Sequence, residues 1–256
     1  MPVSAPGRRV EDVTATTTDG LFPLPTDAAV GWSARLAVFD LETTGIDVET
    51  SRVVTANISV IDAQGVAVSR RDWLSNPGID IPEQATAVHG VTTARAIADG
   101  RAAPEVVGEI IAALREVLAS GLPVVIYNAP YDLTLLDREA RRYGIAPLSG
   151  PMPIIDPLVI DKAVDKYRKG KRTLAATAEF YGVQLLDAHD AGADAIAAGR
   201  VAQAVALKHA KVLNIPVAEL HNRQAVWFQE QALNFQEYMR RSRDPEFTAK
   251  TEWPLG

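Results

Sequence analysis

Residues 36–45 constrain the fold of this chain more than any other stretch. They read Leu-Ala-Val-Phe-Asp-Leu-Glu-Thr-Thr-Gly, an apolar run of strand length that carries Asp40 and Glu42 near its end. Side chains two residues apart in a strand lie on one face, so both carboxylates point the same way. Two like charges on a buried strand are unfavourable unless a cation or another partner compensates them. The run therefore predicts a buried strand with a cation site, or an exposed strand end whose acids lie in water.

Composition limits the classes of protein to which the chain can belong. The sequence of 256 residues contains no cysteine, which excludes disulfides, zinc–thiolate sites and thiol nucleophiles. Its 47% hydrophobic and 23% charged residues are ordinary for a globular protein with a sizeable core. The net charge of −6 argues against a broad nucleic-acid-wrapping surface, although a local contact with the end of a strand stays open. No apolar run approaches transmembrane length, so we expect a cytoplasmic protein without membrane contacts.

Apolar periodicity predicts an α/β fold. Strands are expected over residues 35–42, 53–62, 66–74, 123–127 and 154–156. Helices are expected over residues 106–118, 133–143, 174–180, about 187–212 and about 217–241. These elements predict a mixed five-stranded sheet, with the first three strands antiparallel, flanked by helices and followed by a C-terminal helical extension.

Three regions are expected along the chain. Residues 1–31 have no periodicity and are predicted to form a flexible leader, and residues 32–213 hold the predicted sheet. Residues 214–256 form the helical extension and tail. The extension has an apolar stripe that either packs on its own domain, the favoured interpretation, or binds a partner: Ala225, Phe228, Ala232, Phe235 and Met239.

Three more side chains join the candidate site. Asp132 follows the predicted strand at 123–127, where an Asp is also a common helix N-cap. Asp194 lies on the small apolar face of the long helix with Val201, so its carboxylate is directed inward and needs a partner or a metal. His189 converges with Asp194 only from the loop before that helix. A histidine there suits proton transfer near neutral pH, and an ordinary surface loop residue is the alternative.

The chemistry of these groups favours hard divalent cations. Oxygen ligands without cysteine favour Mg²⁺ or Mn²⁺ over Zn²⁺. Two such ions about 3.5–4 Å apart can activate a water and stabilise the leaving oxygen of a phosphodiester. The other three Asp-x-Glu pairs lie outside apolar strands and are interpreted as solvated charges: Asp47/Glu49, Asp137/Glu139 and Asp244/Glu246.

With these residues in place, the chain resembles the DEDDh-type 3′→5′ exonucleases, the DnaQ-like family. That family includes the ε proofreading subunit of bacterial DNA polymerase III, ribonuclease T and oligoribonuclease. The resemblance covers about residues 36–205 and rests on Phe-Asp-Leu-Glu-Thr-Thr-Gly, Asn-Ala-Pro-Tyr-Asp at 128–132, His-x-x-x-x-Asp at 189–194 and Val-His-Gly-Val-Thr at 88–92. Tyr131 departs from the phenylalanine that is usual in the second motif. The resemblance implies a ribonuclease H-like fold.

The resemblance also implies roles for individual residues. Asp40, Glu42 and Asp194 would hold one metal ion, Asp40 with Asp132 would hold a second, and His189 would be the general base. Five residues would contact the 3′-terminal nucleotide: Thr43, Thr44, Gly45, His89 and Asn128. For His89 a structural loop role is equally open. The basic run at 169–172 would contact phosphates or, as the favoured interpretation, form a solvated loop.

The implied function is hydrolysis from the 3′ end of single-stranded DNA with Mg²⁺ or Mn²⁺, two ions per site, in proofreading or repair. DNA is favoured because the Thr-Thr-Gly and His-Gly-Val-Thr segments are ε-like, and the Met-Thr-Gly usual in oligoribonuclease is absent. An RNA-trimming exonuclease and a non-catalytic protein that binds a polymerase or strand ends are the alternatives. A DNA polymerase or a second copy of the chain would be the partner of the C-terminal helix.

Overall fold

The computed structural model describes residues 30–185 and 190–256, and a mixed sheet lies at its centre. The strands are β1 (Leu36–Thr43), β2 (Val53–Ile61), β3 (Ala67–Asn76), β4 (Arg101–Ala102), β5 (Val124–Val125) and β6 (Ile154–Ile155). Their order across the sheet is β4-β3-β2-β1-β5-β6. β1, β2 and β3 pair antiparallel, while β5 is parallel to β1 and to β6. The mixed α/β sheet with an antiparallel start is confirmed.

The number of strands is six among the described residues, and the predicted five was wrong. The additional strand is β4, which pairs in parallel with β3 only at Ser75–Arg101 and Asn76–Ala102. Its two residues are exposed. A strand this short has room for neither an apolar run nor a repeated alternation, so no pattern in the sequence indicates it.

Helices cover both faces of the sheet. They are α1 (Glu83–His89), α2 (Thr93–Asp99), α3 (Ala103–Ala119), α4 (Ala129–Arg142), α5 (Pro157–Val164), α6 (Leu174–Phe180), α7 (Ala191–Lys208), α8 (Ala210–Leu213) and α9 (Val217–Ser242). The predicted helix at about 187–212 is divided into α7 and α8. No helix in the described ranges is long and apolar enough to cross a membrane. Only the last two residues of the predicted leader are described.

The faces of β1 alternate between two hydrophobic cores. Ala37, Phe39 and Leu41 belong to the core that contains α3 and α4. Leu36 and Val38 belong to the core that contains α7. Because successive side chains of a strand alternate between faces, Asp40 and Glu42 continue the second series and face α7.

Helix α7 lies close to the sheet because its inner face is made of small residues. Six of its alanines are buried: Ala191, Ala195, Ala197, Ala198, Ala202 and Ala206. At Gly199, an added Cβ would lie 2.5 Å from Val38 Cγ1 and 2.6 Å from Ile61 Cδ1. The helix backbone therefore lies where any side chain at this position would overlap the sheet, and its first turn reaches the end of β1.

The C-terminal part of the chain packs on the same domain. Gln224 of α9 is buried, and its amide bonds the Asp156 N–H at 2.6 Å and the Ile154 carbonyl at 3.0 Å. Trp253 in the tail is only 9% exposed and stacks beside the His221 ring, with 4.9 Å between ring centroids. On the predicted stripe, Phe235 remains 51% exposed. The boundary between residues 213 and 214 stays a prediction.

Candidate active site

Three carboxylates meet at the C-terminal end of β1. One oxygen each from Asp40, Glu42 and Asp194 lies within 4.8 Å of the other two. Asp40 and Glu42 come from alternate positions of β1, and Asp194 comes from the first turn of α7. Carboxylate oxygens at this spacing are the ligand type that a hard divalent cation prefers. The structure thus brings three of the predicted residues together.

Asp132 reaches the same strand end from α4. This helix begins at Ala129, earlier than the predicted start at 133, so Asp132 lies in its first turn and Asn128 is the N-cap. Asp132 is 3% exposed, and its Oδ1 accepts a hydrogen bond of 3.2 Å from the backbone N–H of Leu41. β5 pairs with β1 at Ala37 and Val38 and does not extend to Leu41, so the carboxylate accepts from an amide beyond the end of β5. The N-cap interpretation of Asp132 was wrong.

The pKa values of the acids at this strand end are raised. Burial first, and then the neighbouring carboxylate of Asp132, raises the pKa of Asp40 well above its ordinary value. Burial followed by repulsion from Asp194 raises the pKa of Glu42 to about 8. The pKa of Asp132 is also raised, chiefly by burial. A bound divalent cation would oppose both causes, so the chemistry of this ligand set fits a hard metal ion.

The end of β1 and the turn that follows it contain three of the five predicted substrate-binding residues. Thr43 and Thr44 are 8% and 6% exposed, so their side chains lie mostly inside the turn. Thr44 bonds the backbone of Arg52, the residue before β2, through N–H···O and N–H···Oγ1 contacts of 3.0 Å each. At Gly45 an added Cβ would lie 3.2 Å from Ser51 Oγ. The backbone of this turn is therefore held by hydrogen bonds with Arg52 and lies close to Ser51.

The remaining predicted residues differ in how the structure places them. His89 ends α1, and its Nδ1 accepts from the Val91 N–H at 3.2 Å. Burial lowers the pKa of His89, and the nearby Thr43 backbone partly offsets this lowering. His89 thus neighbours the turn after β1. His189, the predicted general base, lies outside the described residues.

Asn128 stands at the junction of β5 and α4 with a left-handed backbone. Its φ of 66° is the one positive value of a non-glycine residue in the described part of the chain. The Asp156 carboxylate accepts from the N–H groups of Asn128 at 3.0 Å and Ala129 at 2.9 Å, which fixes this conformation. Strained backbone of this kind often occurs at functional sites.

A row of hydrogen-bonded polar side chains that the sequence did not reveal borders the carboxylates. Asn57 lies opposite Asp40 in β2, and its Nδ2 donates to Asp72 Oδ1 at 2.8 Å. Asp72 Oδ2 accepts from Arg70 Nε at 2.7 Å, and Arg70 Nη2 lies 3.4 Å from Asp190, the N-cap of α7. The row connects the sheet beside Asp40 with the start of α7. A polar Asn57 within a β-branched strand was the available signal.

One interpretation of charge from the sequence was wrong. Asp137 and Glu139, predicted to be solvated, are 7% and 0% exposed. Glu139 accepts from the Val53 N–H at 3.2 Å and pairs with Arg142, while Arg141 bonds Asp137 at 2.7 Å. Packing of α4 against β2 buries these acids, and arginines of the same helix compensate their charge.

The basic run at 169–172 and the preceding Arg168 are partly internal. Arg168 bonds the buried Asp161 at 2.8 Å, and Arg172 pairs with the same carboxylate. Lys169 and Lys171 remain exposed. Within the basic run at 169–172, Lys169 and Lys171 therefore face solvent as the favoured interpretation of a solvated loop expects, and Arg172 does not.

Comparison with known proteins places the chain in a family. Residues 37–202 match the model of the RNase_T exonuclease family. A DNA polymerase III subunit epsilon-like protein of Rhodobacter capsulatus is 33% identical over 129 residues, covering 50% of this chain and 17% of that protein. A PolC-type DNA polymerase III of Lacticaseibacillus paracasei is 28% identical over 181 residues, covering 70% of this chain and 12% of that protein.

Solved structures of exonuclease I share the fold. The zinc-bound complex of Escherichia coli exonuclease I with single-stranded DNA superposes with a TM-score of 0.61 at 17% identity, covering 71% of this chain and 42% of that one. Exonuclease I of Methylocaldum szegediense gives a TM-score of 0.58 at 21% identity, with the same 71% and 42% coverage. These neighbours confirm the predicted ribonuclease H-like architecture. By its match over most of the sheet and helices, the chain belongs to the RNase_T family of exonucleases, in agreement with the DnaQ-like motifs of its sequence.

Proposed function

We propose that this chain is a metal-dependent 3′→5′ exonuclease that acts on single-stranded DNA and releases nucleoside 5′-monophosphates. The observation that carries the proposal is the convergence of Asp40, Glu42 and Asp194 within 4.8 Å in a chain of this family. The chain spans 17% and 12% of the length of its curated relatives, so their activities do not transfer to it directly.

The proposed division of labour follows the positions of the acids. Asp40, Glu42 and Asp194 would hold one Mg²⁺ or Mn²⁺, and Asp40 with Asp132 would hold a second. When bound, the ions would supply the positive charge that activates a water and stabilises the leaving oxygen. Asp132 is already oriented for this by the Leu41 amide. His189 would accept the proton of the attacking water.

The substrate would enter by its 3′ end. The turn of Thr43, Thr44 and Gly45 would receive the terminal nucleotide, with His89 and Asn128 beside it. This arrangement is supported by the proximity of His89 to the Thr43 backbone. The exposed Lys169 and Lys171 would contact phosphates further along the strand, in a salt-dependent manner.

Substrate, partner and location are proposed on separate grounds. Solved neighbours include exonuclease I with a dA16 and with a dT13 oligonucleotide, which supports single-stranded DNA. The family name favours RNA trimming as the second candidate.

The epsilon-like and PolC-type relatives support a polymerase partner and a proofreading role, with self-association through α9 as the alternative. The absence of cysteine is compatible with the cytoplasm.

The deciding experiment uses matched 5′-labelled DNA and RNA oligonucleotides with Mg²⁺, Mn²⁺ or EDTA. We expect a ladder of shortened DNA only with metal, and slower shortening of RNA. Asp40→Asn should lower kcat by about 10³-fold, about 4 kcal/mol of transition-state stabilisation. Asp244→Asn, which changes an exposed Asp-x-Glu pair in the tail, is the control and should retain activity. Full activity in Asp40→Asn would contradict the proposal. Faster shortening of RNA than of DNA would show that RNA, not DNA, is the preferred substrate.

A further inference from the structure

The geometry points to Tyr131 as a positioning residue that holds the turn after β1 in the shape that receives the terminal nucleotide. The inference rests on the proposed function of that turn. It assigns to the Tyr131 hydroxyl an effect on substrate affinity and none on the chemical step. Nothing in the motif predicts this, because the motif usually has a phenylalanine at this position.

Three oxygen atoms form a closed triangle at the turn. The Tyr131 hydroxyl lies 2.6 Å from Thr43 Oγ1 and donates to the Gly45 carbonyl at 2.6 Å. Thr43 Oγ1 also lies at donating distance from that carbonyl, 2.8 Å away. Two hydroxyl protons serve the three contacts, so the carbonyl accepts from both groups, or from one while the hydroxyls bond each other. In either arrangement the Gly45 carbonyl is fixed relative to α4.

The same turn of α4 holds the end of β1 at two points. Asp132 bonds the Leu41 amide at 3.2 Å, and its neighbour Tyr131 bonds the Gly45 carbonyl. The metal-side carboxylate and the proposed nucleotide seat are therefore positioned by one rigid element.

Phenylalanine at position 131 would fill nearly the same volume and leave Thr43 as the remaining side-chain donor to the Gly45 carbonyl. The turn would then sample other conformations, and part of the binding free energy would be used to order it. Because the hydroxyl bonds protein atoms of the turn, the loss should fall on binding of the terminal nucleotide.

The test compares Tyr131→Phe with wild type in the full chain. We measure KM and kcat on single-stranded DNA with Mg²⁺, and the affinity for dTMP with Ca²⁺, because a mononucleotide occupies only the terminal seat. We expect KM and the dTMP dissociation constant to rise together by about three- to tenfold, the loss of about one hydrogen bond. We expect kcat to stay within about twofold of wild type.

Tyr127→Phe is the matched control. It removes another half-buried phenol hydroxyl, which donates to the Arg172 carbonyl at 2.7 Å and lies 2.9 Å from the Thr177 hydroxyl oxygen, Oγ1. These partners lie outside the turn after β1, so this variant should lower the melting temperature and leave KM at the wild-type value. A purely structural effect of Tyr131 would make the two variants behave alike, and that result would overturn the inference.

A double-mutant cycle with Thr43→Val tests the shared carbonyl. The combined rise in KM should be smaller than the product of the two single rises, because both hydroxyls act on the Gly45 carbonyl. If the two substitutions raise KM independently, the inference is contradicted. It is also contradicted if Tyr131→Phe has the KM and the dTMP affinity of wild type. Both results leave the proposed function standing. Wild-type protein that neither shortens DNA nor binds dTMP would instead contradict the proposed function.

Discussion

At the scale of single residues, the site places carboxylates so close together that they repel one another when ionised. Asp40 and Glu42 share one face of β1, and the first turn of α7 adds Asp194 to them. Burial and the neighbouring carboxylates raise the pKa of both β1 acids. The folded protein without metal therefore binds protons that the unfolded chain would release, and metal binding should displace these protons.

This repulsion predicts a pH-dependent stability of the metal-free protein. The pKa of Glu42 rises from its ordinary 4.5 to about 8 on folding. Its stabilising contribution is therefore complete below the unfolded value and is lost as the pH rises through the folded value. Asp40 and Asp132 shift in the same direction. In EDTA we expect the melting temperature to fall from about pH 5 to about pH 8.

Differential scanning fluorimetry with EDTA or Mg²⁺ measures this dependence. Mg²⁺ should raise the melting temperature most at the alkaline end, where the carboxylates are ionised and can bind it. Glu42→Gln should flatten part of the profile in EDTA, since a glutamine does not titrate. A metal-free melting temperature that increases over the same interval would contradict the assignment of the repulsion to these acids.

At the scale of secondary-structure elements, the position of α7 depends on the lack of a side chain. The backbone at Gly199 lies where a Cβ would overlap Val38 and Ile61 of the sheet. The first turn of the same helix carries Asp194, and its N-cap Asp190 is bound by Arg70. Small shifts of α7 should therefore change both stability and the carboxylate cluster.

Gly199→Ala should destabilise the fold and reduce activity. The added methyl overlaps side chains at 2.5 and 2.6 Å, which we expect to cost about 1–3 kcal/mol of unfolding free energy. The control is Gly108→Ala in α3, where among the described residues a Cβ meets only Ile145 Cδ1, at 3.8 Å. That change should stabilise by up to about 1 kcal/mol because alanine favours the helix. Urea denaturation of both variants measures the difference, and equal stabilities would argue against the close approach.

The junction between β5 and α4 depends on another buried acid. Asp156 accepts from the N–H groups of Asn128, Ala129 and Leu158, at 3.0, 2.9 and 3.0 Å. Asp156→Ala should lower the unfolding free energy by about 3 kcal/mol, because buried N–H groups lose their acceptor. Thr173→Ala removes a cap that serves one N–H of α6 and should cost about 1 kcal/mol. If Asp156→Ala cost no more than Thr173→Ala in chemical denaturation, the junction would not depend on Asp156.

At the scale of the whole molecule, the C-terminal tail packs against the core beside β1 and against α4. Trp253 belongs to the same core as Phe39 of β1, and the Gly256 N–H donates to Thr134 Oγ1 of α4 at 3.0 Å. The tail therefore closes the face of the sheet that α3 and α4 cover.

Trp253→Ala should test this closure. Removing a large side chain that is 9% exposed should cost about 3 kcal/mol, from lost apolar burial and the cavity left behind. Tyr167→Ala removes an aromatic ring that is 88% exposed and should change stability by less than about 0.5 kcal/mol. Thermal denaturation of both proteins measures the contrast, and a silent Trp253→Ala would indicate that the tail contributes no stability.

Much of the fold could be predicted because its signals are local. The alternation in β1 places Asp40 and Glu42 on one face, and the helical spacing of α7 directs Asp194 inward. The burial of Glu139 was not predictable in this way, since it depends on Val53 and on Arg142 meeting it in space. The same holds for β4, which is too short to have a period.

The sequence by itself determined the class of fold, the faces of the strands and helices, and the acids that converge at the end of β1. Periods of two and of 3.6 residues act over a few neighbours, so they can be read along the chain. Only the tertiary structure decided that Tyr131 bonds Thr43 and that Asn57, Asp72 and Arg70 join β2 to α7. Tyr131 and Thr43 are 88 residues apart, and no local pattern specifies contacts at such a separation. Packing of α4 and α7 against the sheet brings these groups to the carboxylates.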